Sequence, residues 1–276
     1  MMKTIGIIGF GNMGSAIAKQ LKNDYGILVF DKDKEKTKNL SGINAAASLQ
    51  ELTGKSAVII IATKPQDIDA VLSEMKNSLA DKLIISIAAG ISCEYLEKAL
   101  GVVRVVRAMP NMPAKIGEGM TCLSKGKFSS RQDCEFAENI FGYLGEVLEI
   151  DEGLMNAATA VSGSGPAYVC NFLESGSLSA DNLGEGDKKK FLNDFQAAAV
   201  EAGFNGEQAY FLTANTTNGT LAFIRAEKIR PAELIKQVAS KGGTTEAALS
   251  ALESGGSLKD AVMAAKKRAD ELSKKE

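Results

Sequence analysis

The chain of 276 residues contains no histidine. That absence removes Ser-His-Asp and Cys-His catalytic groupings, histidine-ligated metals and histidine general acids. An enzyme built from this sequence works without the commonest proton carrier, which favours a bound cofactor that supplies the chemistry itself. Cysteine is sparse: Cys93, Cys122, Cys134 and Cys170 are scattered, with no Cys-x-x-Cys pair. This usage points to reduced thiols in a cytoplasmic protein, not to a disulfide frame or a metal site. Long apolar runs are missing too; the longest, Ala57 to Ala62, is far too short to span a bilayer. The opening M-M-K-T-I-G-I-I-G-F is broken by glycines and lacks a cleavage site, so it reads as a strand and not a signal peptide. With a net charge of −2, the total gives no footing for nucleic acid or an anionic membrane surface as a partner.

What is present is ordinary globular material, 45% hydrophobic and 24% charged, in a chain long enough for one large domain or two smaller ones. The N-terminal half alternates strand and helix patterns. The run T-I-G-I-I-G (residues 4–9) reads as a buried strand, and the following G-F-G-N-M-G carries Gly9, Gly11 and Gly14 in the G-x-G-x-x-G spacing. Each glycine has a mechanical reason. Gly9 permits the tight turn, Gly11 lets a pyrophosphate approach the backbone, and Gly14 lets the helix pack on the strand. A second strand, Ile27 to Phe30, ends at Asp31, where an acid typically holds the adenosine ribose of NAD. Lys32 and Lys34 beside it suit the 2′-phosphate of NADP, which Asp31 opposes; the same lysines also read as a solvated helix start.

Further apolar runs at 57–62, 83–88 and 102–107 read as strands buried on both faces, ending in T-K-P-Q, A-A-G-I-S and A-M-P-N-M-P. Pro65 suits a helix start, and Ser92 a helix cap with Glu94 in the first turn. Strand-like 119–123, a helix near 130–143 and strand-like 146–150 complete this half. A doubly wound parallel sheet of Rossmann type is the economical architecture, with its ligand at the carboxyl ends of the strands.

Beyond about residue 152 the strand signals vanish. Helices are expected over 154–160, 166–174, 191–202, 207–226, 231–239, 245–254 and from Leu258 to the end. The fold class is therefore α/β plus all-α, divided as 1–152 and 153–276. Their apolar stripes read as a bundle core or a subunit interface. Lys188 to Lys190 and the terminal K-K-R and K-K-E read as solubilising charge. Two small-residue loops, V-S-G-S-G-P-A-Y (161–168) and S-K-G-G-T-T (240–245), each precede a helix. Either is a cap or a place of close approach for a ligand or partner chain.

G-F-G-N-M-G, A-T-K-P-Q, S-I-A-A-G-I, R-A-M-P-N-M-P, V-S-G-S-G-P-A-Y and S-K-G-G-T-T-E-A-A-L occur in that order. Together they resemble pyrroline-5-carboxylate reductases across nearly the whole chain. The resemblance implies reduction of the cyclic imine L-1-pyrroline-5-carboxylate to L-proline by NADPH or NADH. It implies that Ile8, Gly9, Phe10, Gly11, Asn12 and Met13 cradle the pyrophosphate, with Asp31 and Lys32 at the ribose. Ala62, Thr63, Lys64, Pro65, Ala88 and Ala89 would line the nicotinamide half. Ser240, Gly243, Thr244 and Glu152 would contact the substrate, its carboxylate held by the backbone N–H groups of Gly243 and Thr244, while Thr245 meets the ring nitrogen. Helical domains of that family pair into homodimers and often rings of dimers, without membrane or nucleic acid. Two similar plans compete: a β-hydroxyacid dehydrogenase, disfavoured because no lysine follows S-G-S-G-P-A-Y before Lys188, and a non-catalytic NAD(P) sensor, disfavoured by the intact G-G-T-T loop. The chain departs from the family in having Lys241 where a proline is usual. It also carries an apparent insertion of roughly twenty residues, about 175–195, whose Gly, Ser and Asp content suggests a loop or broken helix.

Overall fold

The computed structural model describes residues 3–38, 40–76, 79 and 81–273; the terminal K-K-E lies outside them. The chain divides into two compact units. One takes the residues up to Met109 and Leu123–Glu152, the other Pro110–Cys122 and the residues from Gly153 onward.

The first unit is an α/β sheet. Its elements are β1 (Thr4–Ile8), α1 (Asn12–Leu21), β2 (Gly26–Phe30), β3 (Asn44–Ala45), α2 (Leu49–Lys55), β4 (Val58–Ile61) and α3 (Ile68–Met75). They continue with β5 (Leu83–Ser86), α4 (Cys93–Leu100), β6 (Arg104–Pro110), β7 (Gly119–Lys125), α5 (Arg131–Gly142) and β8 (Gly145–Glu149). Among the described residues the strand order is β3-β2-β1-β4-β5-β6-β7-β8. From β3 to β6 every neighbouring pair is parallel, with Ile7 of β1 level with Val29 of β2 and Ile60 of β4. Every residue of β4 is buried, as its uninterrupted Val-Ile-Ile-Ile requires of a strand covered on both faces. Each such isoleucine contributes about 1.5–3 kcal/mol by leaving water. Helices α2, α4 and α5 start on side-chain caps. Ser48 accepts from Glu51 N–H, Ser92 from Tyr95 N–H, and Ser130 and Asp133 close a capping box. The order reverses between β1 and β4, so the carboxyl ends of β1, β2 and β4 surround the switch point where such sheets bind ligands.

The second unit is helical: α6 (Met155–Ala158), α7 (Gly165–Ser175), α8 (Glu185–Glu201), α9 (Gly206–Glu227), α10 (Pro231–Val238), α11 (Thr244–Glu253) and α12 (Leu258–Ser273). Between α6 and α7 the chain makes a π-helical turn, Thr159–Gly163. The long α9 buries four threonines, of which Thr216 reaches Ser162 Oγ and the other three are satisfied within the helix. Thr213, Thr217 and Thr220 donate to the carbonyls of Ala209, Thr213 and Thr216, four residues back, at 2.6–2.8 Å. The segment 110–122 packs here through a close approach, since a Cβ on Gly219 of α9 would stand 2.0 Å from the Glu118 carbonyl. Asn111 fixes the same segment: its side chain accepts from Met120 N–H at 2.9 Å and donates to Ser162 Oγ at 3.3 Å.

The stretch read as an insertion forms the end of α7, a run of turns and the start of α8. The turns are tied down. Leu178 N–H donates to the Leu173 carbonyl at 2.8 Å, and Arg225 of α9 reaches both the Ala180 carbonyl and the Asp181 carboxylate. Helix α8 starts at Glu185, six residues before the expected Phe191, because E-G-D-K-K-K shows no apolar stripe to announce it.

Candidate functional site

The glycine turn after β1 is shaped by contact. Gly9 has φ +94°, and a Cβ there would stand 2.6 Å from the Ala62 carbonyl; a Cβ on Gly14 would stand 2.0 Å from the Gly9 carbonyl. No larger residue fits either place. A Cβ on Gly11 meets nothing within 4 Å, and Gly11 is the N-cap of α1 with no side chain capping it. The start of α1 therefore has open room beside Gly11 and no side chain capping its first amides, which is what an anion at a helix start requires.

Beside that turn lies a cleft of about 440 Å³. Ile8, Gly9, Gly11, Asp31, Lys32, Ala62, Thr63 and Lys64 line it, all of them expected at a dinucleotide. Lys36, which the sequence did not single out, lines it as well. Phe10, Asn12, Met13, Pro65, Ala88 and Ala89 do not line this cleft. Asn12 and Met13 open α1, Pro65 opens a short 3-10 turn, and Ala88 and Ala89 follow β5. The Thr63 hydroxyl is buried without a partner among the described residues. An orphaned hydroxyl on the wall and bare helix amides at the floor fit a dinucleotide, whose hydroxyls and phosphates satisfy both.

Asp31 is buried and turned inward. It accepts from Phe10 N–H at 2.7 Å and Asp33 N–H at 2.9 Å, with Lys36 Nζ at 3.5 Å. Burial alone would raise its pKa, but these two amides and the lysine outweigh that, so the carboxylate titrates below its ordinary value. Lys32 pairs with Asp67 at 2.7 Å, whereas Lys34 lies over the Phe30 ring, 4.1 Å from its centroid. This end of the cleft thus sets two cations, Lys32 and Lys36, against two carboxylates, Lys32 paired with Asp67 and Lys36 beside the buried Asp31.

Glu152, expected at the substrate, has both carboxylate oxygens engaged within the first unit. Oε1 accepts from Cys93 N–H at 3.1 Å and Arg107 Nη1 at 2.9 Å; Oε2 accepts from the Ser124 hydroxyl and the Cys93 thiol. Burial opposes its charge, yet Arg107, Ser124 and the Cys93 amide more than offset this and lower its pKa. It caps α4 and joins β6 to β7. The Cys93 thiol is pushed far up by burial and by Glu152, so it is not a nucleophile at neutral pH.

In the second unit the loop Ser240 to Thr245 leads into α11. Its shape is locked by Gly243 N–H donating to the Ser240 carbonyl at 2.9 Å, Gly242 N–H to Glu246 at 2.6 Å, and Arg268 Nε to the Gly242 carbonyl at 2.8 Å. A Cβ on Gly243 would stand 2.4 Å from Ser240 Oγ. The Gly243 amide, expected to hold a carboxylate, is thus taken by the loop itself. The amides of Thr244 and Thr245, in the first turn of α11, have no partner among the described residues. Thr245 is buried and donates to Ser164 Oγ at 3.0 Å, and Ser164 Oγ also meets Thr244 Oγ1 at 3.0 Å. Lys241 is exposed beside this cluster. Ser164 was not singled out from sequence, although it sits inside the S-G-S-G motif that was.

A dinucleotide-type α/β unit joined to a helical unit with a bare, threonine-flanked helix start defines a class: nucleotide-dependent oxidoreductases of two-domain plan. Comparison with known proteins narrows it. Residues 4–90 match the family described as NADP oxidoreductase, coenzyme F420-dependent, and residues 189–275 match the pyrroline-5-carboxylate reductase dimerisation family. The pyrroline-5-carboxylate reductase of Aquifex aeolicus is 34% identical over 98% of this chain and 96% of its own length. That of Escherichia coli is 37% identical over 93% and 92%. A pyrroline carboxylate reductase of Plasmodium falciparum, solved with NADP bound, superposes with a TM-score of 0.62 at 28% identity, covering 99% of this chain and 98% of its own. The chain belongs to the pyrroline-5-carboxylate reductase family.

Proposed function

We propose that the chain reduces the C=N bond of L-1-pyrroline-5-carboxylate to give L-proline, using NADPH or NADH, as the last step of proline biosynthesis. The observation that carries this reading is the start of α11, where two unpartnered amides and two threonine hydroxyls meet over a loop locked in place by Ser240, Glu246 and Arg268. The amides of Thr244 and Thr245, at the positive end of the helix, hold the single carboxylate. Gly243 contributes shape, and Ser240 braces it. Thr245 Oγ1 meets the ring nitrogen. The substrate enters as the protonated iminium, so a chain without histidine needs no strong acid.

The cofactor, when bound, supplies the hydride to the imine carbon. The residues from Ile8 to Met13 hold its pyrophosphate at the start of α1. Ala62 to Pro65, Ala88 and Ala89 flank the nicotinamide half, and Asp31, Lys32 and Lys36 face the adenosine ribose. Rate comes chiefly from positioning. The helical unit forms the homodimer, extending to a ring of dimers, and the protein works in the cytoplasm. Among the described residues no helix is long and apolar enough to cross a membrane. The test is loss of reduced-nicotinamide absorbance when pyrroline-5-carboxylate is offered with NADPH and with NADH. Turnover is expected; none with either nucleotide refutes the reading.

A further inference from the structure

Four hydroxyls converge in the helical unit, those of Thr244, Thr245 and Tyr168 on that of Ser164, which is their hub. The π-helical turn delivers it there: Ser164 N–H donates to the Thr159 carbonyl, five residues back, at 3.0 Å. Its neighbour Gly165 presses the turn against α9, where a Cβ would stand 2.5 Å from Thr216 Cγ2. The Ser164 side chain is wholly buried, and Thr245 is 4% exposed. Ser164 Oγ lies 3.0 Å from both Thr245 Oγ1 and Thr244 Oγ1, with Thr245 as donor to it. A hydroxyl has one proton and two lone pairs. Once the Thr245 proton is committed to Ser164, Thr245 Oγ1 has only lone pairs left for anything else. The proton of Ser164 is in turn available to Thr244 or to the Tyr168 oxygen, whose own proton goes to the Ala160 carbonyl.

We infer that Ser164 is a positioning residue that takes the Thr245 hydroxyl proton, so that Thr245 meets the substrate ring nitrogen as a hydrogen-bond acceptor and selects the N–H of the protonated iminium. The inference rests on the reading of the site as a pyrroline-5-carboxylate receptor and gives Thr245 a direction. The nitrogen keeps its proton throughout. The imine carbon would take the hydride that a bound reduced nicotinamide supplies, and the π pair returns to nitrogen as a lone pair. Thr245 is then not the proton donor; it accepts before and after the transfer.

The test is equilibrium binding to the full-length chain saturated with NADP, using two ligands of the same ring size and carboxylate. L-Proline presents ring N–H donors, whereas tetrahydrofuran-2-carboxylate has a ring oxygen that only accepts. The wild type is expected to bind proline about tenfold or more tighter, as befits a hydrogen bond from a charged donor. In Ser164→Ala the freed Thr245 hydroxyl turns to donate, and the ratio falls toward one. Ser164→Cys, with a weakly accepting sulfur in nearly the same volume, falls between. A purely structural role for Ser164 would weaken both ligands together and leave the ratio unchanged in a variant that melts like the wild type, which overturns the inference. Equal binding of both ligands by the wild type overturns it without any variant. Failure of the wild type to bind either ligand instead removes the underlying reading of the site.

Discussion

The chain has two glycine-rich helix starts, at α1 and at α11, and they are finished differently. At α1 the N-cap is Gly11, with open space where a Cβ would be, and no hydroxyl is supplied. At α11 the N-cap is Gly243, packed against Ser240, and two threonines follow whose hydroxyls are both tied to Ser164. A pyrophosphate asks only for amides and room. A small cyclic acid asks for amides for its carboxylate and a hydroxyl of fixed direction for its ring. Helix geometry supplies the first in both places, and the second has to be imported from another element.

The comparison breaks most severely at Gly14. Gly14→Val places carbon against the Gly9 carbonyl, so the turn must open; nucleotide affinity by fluorescence titration is expected to fall by two orders of magnitude or more, on the order of 3 kcal/mol. Glu152→Gln weakens the clasp of the first unit without touching either helix start. It is expected to lower stability by about 1–3 kcal/mol at neutral pH, read as urea denaturation. The pH sign follows from the lowered pKa of Glu152 in the fold. Its contribution is present above the ordinary glutamate value and is lost as pH falls through the lower folded value. Wild-type stability therefore drops across that acid window, and the variant's drops less steeply. The smallest effect concerns the ribose end. Lys36→Ala leaves Asp31 held by its two amides but without a paired cation, and is expected to lower NADPH affinity relative to NADH by a few-fold, the scale of an exposed ion pair; equal loss for both nucleotides would remove Lys36 from the discrimination.

The same contrast explains what could be read from the sequence. The turn at Gly9, Gly11 and Gly14 is legible because most of its demands are local: a positive φ at Gly9 and the close approach of Gly14 to the Gly9 carbonyl. The strands around Ile60 and Ile84 are legible because burial on both faces leaves an unbroken apolar run. β3, two exposed residues, leaves no such trace. The π-helical turn has no periodic signature, so the expected helix over 154–160 is instead α6 running into that turn. Ser164 was hidden because its partners Thr244 and Thr245 lie 80 and 81 residues away. Asn111 was hidden for the same reason: its role depends on Ser162, 51 residues on. Glu152 shows the converse. Its surroundings of Cys93, Arg107 and Ser124 are set by topology, and chain position alone did not reveal them.

The central claim is that the two helix starts divide the work, one holding nucleotide and the other orienting the imine. Thr245→Val tests it most directly, by measuring nucleotide affinity and kcat/KM for pyrroline-5-carboxylate on the same preparation. Wild-type nucleotide affinity with kcat/KM reduced about 10–100-fold, the worth of one hydrogen bond to a charged group, is the expected result. Unchanged kcat/KM, or a loss of nucleotide affinity that accounts for the whole change, would contradict it.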